Sequence, residues 1–474
     1  GGRVLTVADN IFFTNDLIIC SYLSRRAGCG GVCADPGHPY TVPCLHLAAP
    51  CPRPCFAFLN GVRTQHGLSG HVSSYSCTTP TIRATRTVTT GTPYRTVQVS
   101  LIPVEQRAEG YVSIPLWTTD LNASASLPGH VHLVCPVHPL NEGGLKPVDA
   151  GIDITDAARV TPSALDQMVA QTDVVEVPGN FGWRDAALSR RVMGLAKRHG
   201  TLCILGISSN RAKTVLLNAQ QAGPLRRLRA RLKAWDIGLT QRYMARRCDG
   251  VRVVGRGLVP LIEAQATSIH VETASWISAQ DFDVARAQEH VPARVVMAAR
   301  FEHMKGIDIG VRAVADVVAG GAPVALRIIG QGPEEGALKQ LVAELDLSDI
   351  TEFAGQLAYP DAFFEAMGVA DFVLLTNRND EQPRLIFDAI SRGAIPICPR
   401  TETYLQLGLD ESLLYTQGSA EELQQVLGRL ISLDGPARGA LRASLAALAQ
   451  TYTLERMHSA RRDWVLSLLQ GRRA

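Results

Sequence analysis

Between Val97 and Pro399, short apolar runs alternate with longer stretches in which apolar residues return every three or four positions. The runs "VQVSLIPV", "HVHLVCPV", "TDVVEVPG", "GTLCILGI" and "GVRVVGR" are rich in β-branched residues. They predict strands covered on both faces, as in a parallel sheet. The stretches between them, notably 185–199 and 224–247, carry helical spacing. A polar connector, "SAQDFDVARAQEHVPA", fills 278–293. A second series follows, in which "RVVMAAR", "VALRIIG", "ITEFAG", "DFVLLT" and "IPICP" read as strands. They are separated by helical patterns at 306–319, 334–345, 361–368 and 384–392. Such alternation predicts an α/β protein of two doubly wound domains facing a cleft, with ligands held at the C-terminal ends of the strands. The expected borders are 95–287 for the first domain and 288–450 for the second, with a C-terminal helix over 451–474 packing back on the first.

The first ninety-odd residues break this pattern. Residues 1–96 hold eight arginines and three aspartates but no lysine and no glutamate, and they show no sustained period of 2 or 3.6. Residues 1–94 are therefore expected to be an atypical, poorly ordered extension and not a functional domain. Seven of the eleven cysteines fall there. Cys29/Cys33 and Cys51/Cys55 each enclose three residues, not the two of most zinc ribbons, so no metal site is expected. Cys135, Cys203, Cys248 and Cys398 are scattered through apolar surroundings, as reduced thiols usually are.

Composition narrows the function classes. A chain of 474 residues with 46% hydrophobic and 19% charged residues fits a globular protein. Its net charge of +3 argues against a nucleic-acid partner. No apolar run is long enough to span a bilayer, so the expected location is cytoplasmic, with a peripheral place on the inner membrane face left open.

The candidate chemistry clusters at predicted strand ends. Arg300 closes the first strand of the second domain, and Lys305 stands just before the Gly306 turn. Two cations there could meet the charge growing on a departing diphosphate. Gly330 and Gly332 follow the next strand and Gly355 a third, where backbone can approach a ligand closely. In "NRNDEQPRLIFDAISRGAIPICPR", Asp380 and Asp388 flank a turn whose Pro383 opens a helix, a unit that can aim N–H groups at an anion. On the first domain, "PGNFGWRD" offers Asn180 and Trp183 to a sugar, and Gly110 could form a close-approach turn.

In this order, Arg300…Lys305-Gly306, "IIGQGPEEGALKQLVAELDL", "ITEFAGQL", "ADFVLLT" and the acidic loop resemble the C-terminal domain of glycosyltransferase family 4. The resemblance is close over about 290–435 and topological over 97–289. It implies the GT-B fold, two Rossmann-like domains facing a cleft, and transfer of a sugar from a nucleotide diphosphate with retention of configuration. That family carries two glutamates separated by seven residues. The "DAISRGAIP" tail aligns them with Asp380 and Asp388, both aspartates here, while Glu381, Gln382, Pro383 and Arg384 replace the usual glycine-containing loop before Leu385. The resemblance implies that Asp380 stands near the donor sugar, with Glu381 as its substitute, and that Asp388 accepts from the ribose. It also implies front-face attack without a protein nucleophile, no metal requirement and no cofactor beyond the nucleotide-sugar co-substrate. The acceptor it implies is a glycan, a lipid-linked group or another hydroxyl. Two rivals stay open: a catalytically lapsed nucleotide-sugar-binding protein and a nucleotide-sugar epimerase on the same fold.

One helix has two readings. Over 225–247, Leu225, Leu228, Leu232, Trp235 and Leu239 keep helical spacing while Arg226, Arg227, Arg229, Arg231 and Lys233 fill the remainder. The stripe is expected to cover the sheet. Alternatively, such a basic amphipathic helix lies on anionic lipid.

Overall fold

A computed structural model describes residues 94–472 apart from 126–128, 141–143, 221, 285–288 and 383. The expectations for the extension before Tyr94, its cysteines and Pro383 thus lie outside the described residues. The first domain runs β1 (Tyr94–Val99), β2 (Glu105–Arg107), β3 (Gly110–Ser113), α1 (Pro115–Ala125), β4 (Gly129–Cys135), β5 (Lys146–Pro147) and β6 (Ile152–Asp156). It continues with α2 (Pro162–Ala170), β7 (Val174–Pro178), α3 (Ala187–His199), β8 (Leu202–Ile207), α4 (Arg211–Leu217), α5 (Pro224–Ala245), β9 (Gly250–Val254) and β10 (Ile269–Glu272). Seven of these strands form one parallel sheet in the order β10-β9-β8-β7-β1-β4-β6, and β2, β3 and β5 make a small antiparallel one. Val97 lies opposite both His132 and Val175, which places β1 inside the sheet between β4 and β7.

The second domain runs β11 (Ala293–Ala298), α6 (Ile307–Ala319), β12 (Val324–Ile329), α7 (Glu335–Glu344), β13 (Thr351–Gly355), α8 (Asp361–Gly368) and β14 (Phe372–Leu374). Then come α9 (Leu385–Ser391), β15 (Ile395–Pro399), α10 (Glu402–Gln406), β16 (Leu414–Tyr415), α11 (Ala420–Ile431), α12 (Gly435–Ala449) and α13 (Leu454–Gly471). Its sheet order is β13-β12-β11-β14-β15-β16. Every residue of β14 and β15 is buried, as strands flanked by helices on both faces must be. This α/β arrangement of two Rossmann-like sheets is the GT-B fold.

Both sheets reverse their strand order once, between β1 and β7 in the first and between β11 and β14 in the second. At such a switch point the loops leave in opposite directions and a crevice opens at the strand C-termini. The described residues belong to one compact unit, in which the two crevices share a cleft. Helix α13 closes the chain by returning to the first sheet, where Val465, Leu466 and Leu469 pack with Tyr94, Val174, Leu202 and Ile204.

Helix α5 departs from the expected packing. Its buried residues are Ala230, Ala234, Ile237, Thr240, Gln241, Met244 and Ala245, and the Leu225–Leu239 row faces solvent. The small residues let the helix backbone approach its neighbours closely, so this face, not the leucine row, meets the protein.

Candidate functional site

The cleft is lined by the segments that leave the switch-point strands: Val99–Ile102 after β1, Val177 to Phe181 around the end of β7, Met297–Ala299 at β11, and Leu374–Asn377 after β14. It is an open cleft walled by both domains, not an enclosed cavity. Lys305, Glu381, Gln382, Arg384, Leu385 and Asn180 all line it.

Lys305 reaches the cleft from a short turn before α6. Thr376 Oγ1 donates to the Lys305 carbonyl at 2.9 Å, tying the β14–α9 loop to that turn. The ammonium stands 3.5 Å from Glu381 Oε2, and both side chains are nearly buried. Burial raises the effective strength of such a pair over one in water. Glu381 also accepts from Thr214 Oγ1 of α4 at 3.4 Å. Gln382 grips the first domain in a bidentate contact: its Oε1 accepts from Ala274 N at 2.6 Å and its Nε2 donates to Ala274 O at 2.8 Å. The loop is pinned by Asn377 Nδ2 donating to Asn379 O at 2.6 Å and by Gln417 Nε2 donating to the Asn377 and Asn379 carbonyls at 2.9 and 3.0 Å.

Several expected residues lie off the cleft walls. Asp380, one position before Glu381, is turned toward Gly257 and accepts from Thr403 N at 3.3 Å. Asp388 is fully buried beneath the loop, with Oδ2 2.5 Å from Arg384 Nη1. Burial pushes its carboxyl up to about 6 against the pull of Arg384. Asp388 therefore touches the cleft only through Arg384, whose guanidinium also lies 4.3 Å from the Tyr359 ring centroid and 5.2 Å from that of Trp276. Arg300 forms an ion pair with Glu302 behind Lys305.

The glycines have backbone reasons. At Gly330 (φ +136°) and Gly332 (φ +159°) a Cβ would come within 1.9 Å of Ala299 O and 2.5 Å of Phe301 O, so the chain's own β11 loop occupies the space assigned to a ligand. Gly355 likewise lies off the cleft lining, with φ +66° and its carbonyl accepting from Gly330 N at 2.8 Å. On the acceptor side, Gly110 sits exposed in the β2–β3 hairpin. Trp183 is 41% exposed, edge-on to Tyr243 and beneath Arg190. Neither lines the cleft: Gly110 belongs to the hairpin, and Trp183 is held on α5 by Asp236 and Tyr243.

The first-domain wall carries a charge network that local sequence did not suggest. Arg252 Nη1 lies 2.6 Å from Glu272 Oε2 and Nη2 lies 3.6 Å from Glu176. Arg461 of α13 forks onto both Glu272 oxygens. Burial alone would raise Glu272, yet Arg252 and Arg461 bring its carboxyl down to about 2. Nearby, burial would also raise Asp120, but His458 at 3.1 Å, Arg461 and Arg252 hold it below the usual range. A charge inside each of the apolar strands "GVRVV" and "IHVE" was the available signal, since such positions are rarely charged without a partner. Among the described residues, no group of three or more His, Cys, Asp or Glu side chains is placed to hold a metal ion.

Residues 281–446 match the family model described as "Glycosyl transferases group 1", which covers most of the second domain. Among solved structures, sucrose-phosphate synthase from Thermosynechococcus elongatus superposes with a TM-score of 0.57 at 13% identity, over 80% of this chain and 100% of that one. A glycosyltransferase from Rickettsia africae gives 0.54 at 13% identity, over 80% and 99%. Anabaena HepE, solved in complex with UDP-glucose, gives 0.52 at 15% identity, over 79% and 99%. At these identities the likeness is one of fold. None of the curated proteins matches the chain.

Proposed function

We propose that this protein transfers a sugar from a nucleotide diphosphate donor, a UDP- or GDP-sugar, to a hydroxyl acceptor with retention of configuration. The observation that carries the reading is the Lys305–Glu381 pair, set where the two switch-point crevices face each other. A donor diphosphate there would draw Lys305 off Glu381 and release that carboxylate for the sugar's hydroxyls. Arg384, held by Asp388, would supply a second positive charge on the same wall. The match to the group 1 model and the UDP-glucose bound by the HepE relative support this donor class.

Retention rests on the resemblance to family 4, for which front-face attack with the donor phosphate taking the acceptor's proton needs no protein nucleophile. Leaving-group charge would then be met by the chain's own cations, and no metal would be required. A thermal-shift screen of UDP-, GDP- and ADP-sugars tests the donor, and a transfer assay run with and without chelator tests the metal. One donor class should raise the unfolding midpoint by mass action, and transfer should survive chelation. A chelator-sensitive transfer rescued by magnesium would refute the metal-free step. Binding without any transfer to glycan or lipid-linked acceptors would refute the enzyme.

The two neighbouring carboxylates separate cleanly. Glu381→Gln should lower turnover by about 10- to 100-fold, the scale of a charge-assisted hydrogen bond of ~1.5–3 kcal/mol. Asp380→Asn should change it only a few-fold, because that carboxylate is spent on Thr403 and the Gly257 turn. Steady-state kinetics of the two variants would reverse this assignment if Asp380→Asn proved the more damaging.

A further inference from the structure

Helix α5 bears two apolar stripes. One, built from Ala230, Ala234, Ile237, Met244 and Ala245, is buried against the domain. The other is the row Leu225, Leu228, Leu232, Trp235 and Leu239, which are 72, 54, 59, 65 and 42% exposed. At ~100° per residue the two stripes point roughly opposite ways. Eleven large hydrophobic residues are exposed among the described residues, and five of them stand in this single row. Isolated exposed leucines need no explanation, but a continuous row does.

Charge indicates what covers it. The 22-residue helix carries six basic residues, Arg226, Arg227, Arg229, Arg231, Lys233 and Arg242, all exposed, against one acid, Asp236. That acid is turned inward, accepting from Trp183 N at 3.2 Å. Two copies of the helix packed face to face would bring like charges together, which disfavours self-association. Among the described residues no helix is long and apolar enough to cross a membrane. An apolar row bordered by arginines suits the plane of a bilayer interface, with the row among the acyl chains and the guanidinium groups on lipid phosphates.

We propose that α5 docks this protein on an anionic lipid surface. The docking also bears on the reaction. Asp236 holds the backbone three residues after Asn180, which lines the cleft. At the other end, Asn218 and Gln220, just before α5, bond Glu302 and His303 of the second domain at 3.3 and 3.2 Å. A docked α5 therefore sets the cleft at the membrane, where an acceptor carried on a lipid would enter. That consequence rests on the transferase reading, whereas the docking itself does not.

Flotation of the full chain with vesicles of phosphatidylcholine alone, or containing about 30% phosphatidylglycerol, tests the docking without any substrate. The chain should float with the anionic vesicles only, and raised salt should weaken the association. The double variant Leu228→Ser/Leu232→Ser should lower the bound fraction at least ~tenfold. Its unfolding midpoint and its shift with UDP should match those of the parent, which excludes misfolding. Trp235 fluorescence should move to the blue on anionic vesicles, and the movement should vanish in Trp235→Phe. Three results would each overturn the proposal: no flotation, flotation unaffected by the leucine pair, or a dimer in sedimentation velocity that the pair dissolves. Flotation without any transferase activity would leave the docking standing and sink only the reading of the cleft.

Discussion

Lys305→Ala should lower turnover by ~10²–10³, the scale for losing a preorganised donor to developing negative charge. The ammonium is nearly buried and its neighbour at 3.5 Å is a carboxylate, which, on the proposed reading, an incoming diphosphate would displace. Removing it leaves Glu381 facing the phosphates with its charge uncompensated, so UDP affinity should fall along with kcat. Arg300→Ala should do less, because that guanidinium pairs with Glu302 and lies off the cleft walls. Steady-state kinetics and UDP titration of the two variants check the order. If Arg300→Ala equals or exceeds Lys305→Ala, the diphosphate sits deeper against β11 than the cleft lining indicates.

Glu272→Gln should destabilise the chain by about 3–5 kcal/mol at neutral pH, since it strands two arginines at a buried site. Glu272 receives Arg252 from the neighbouring strand and Arg461 from α13, so it ties the last helix to the first sheet. The sign of the pH dependence follows from its depressed titration. An unfolded glutamate titrates near 4.5 and the folded one near 2, so the contribution is full above 4.5 and is lost as pH falls from there toward 2. Denaturant unfolding at pH 7 and at pH 3 should therefore show a gap between parent and variant that narrows with acid. A gap independent of pH, or none at pH 7, would mean that Glu272 is not charged in the folded protein.

Alternating apolar runs and helical periods were enough to determine two doubly wound domains, because a strand covered on both faces cannot be charged along its length. They also located the cleft at the strand C-termini, where Lys305, Glu381, Gln382, Arg384 and Leu385 stand among its walls. Other features were decided only by tertiary structure. A loop has no period, so nothing local distinguishes Asp380, turned to Thr403, from Glu381, turned to Lys305. Asp388 occupied a donor-contact position by alignment, but Arg384, one helical turn earlier, took its carboxylate once both were buried. The Arg461–Glu272 pair joins residues 189 positions apart, beyond any local window. Periodicity announced an apolar stripe on α5 without saying which face would be covered. Close packing chose the small residues at Ala230 and Ala234 for the protein and left the leucines outside. Amphipathicity is a property of one helix, whereas what buries its face is set by the surfaces that surround it.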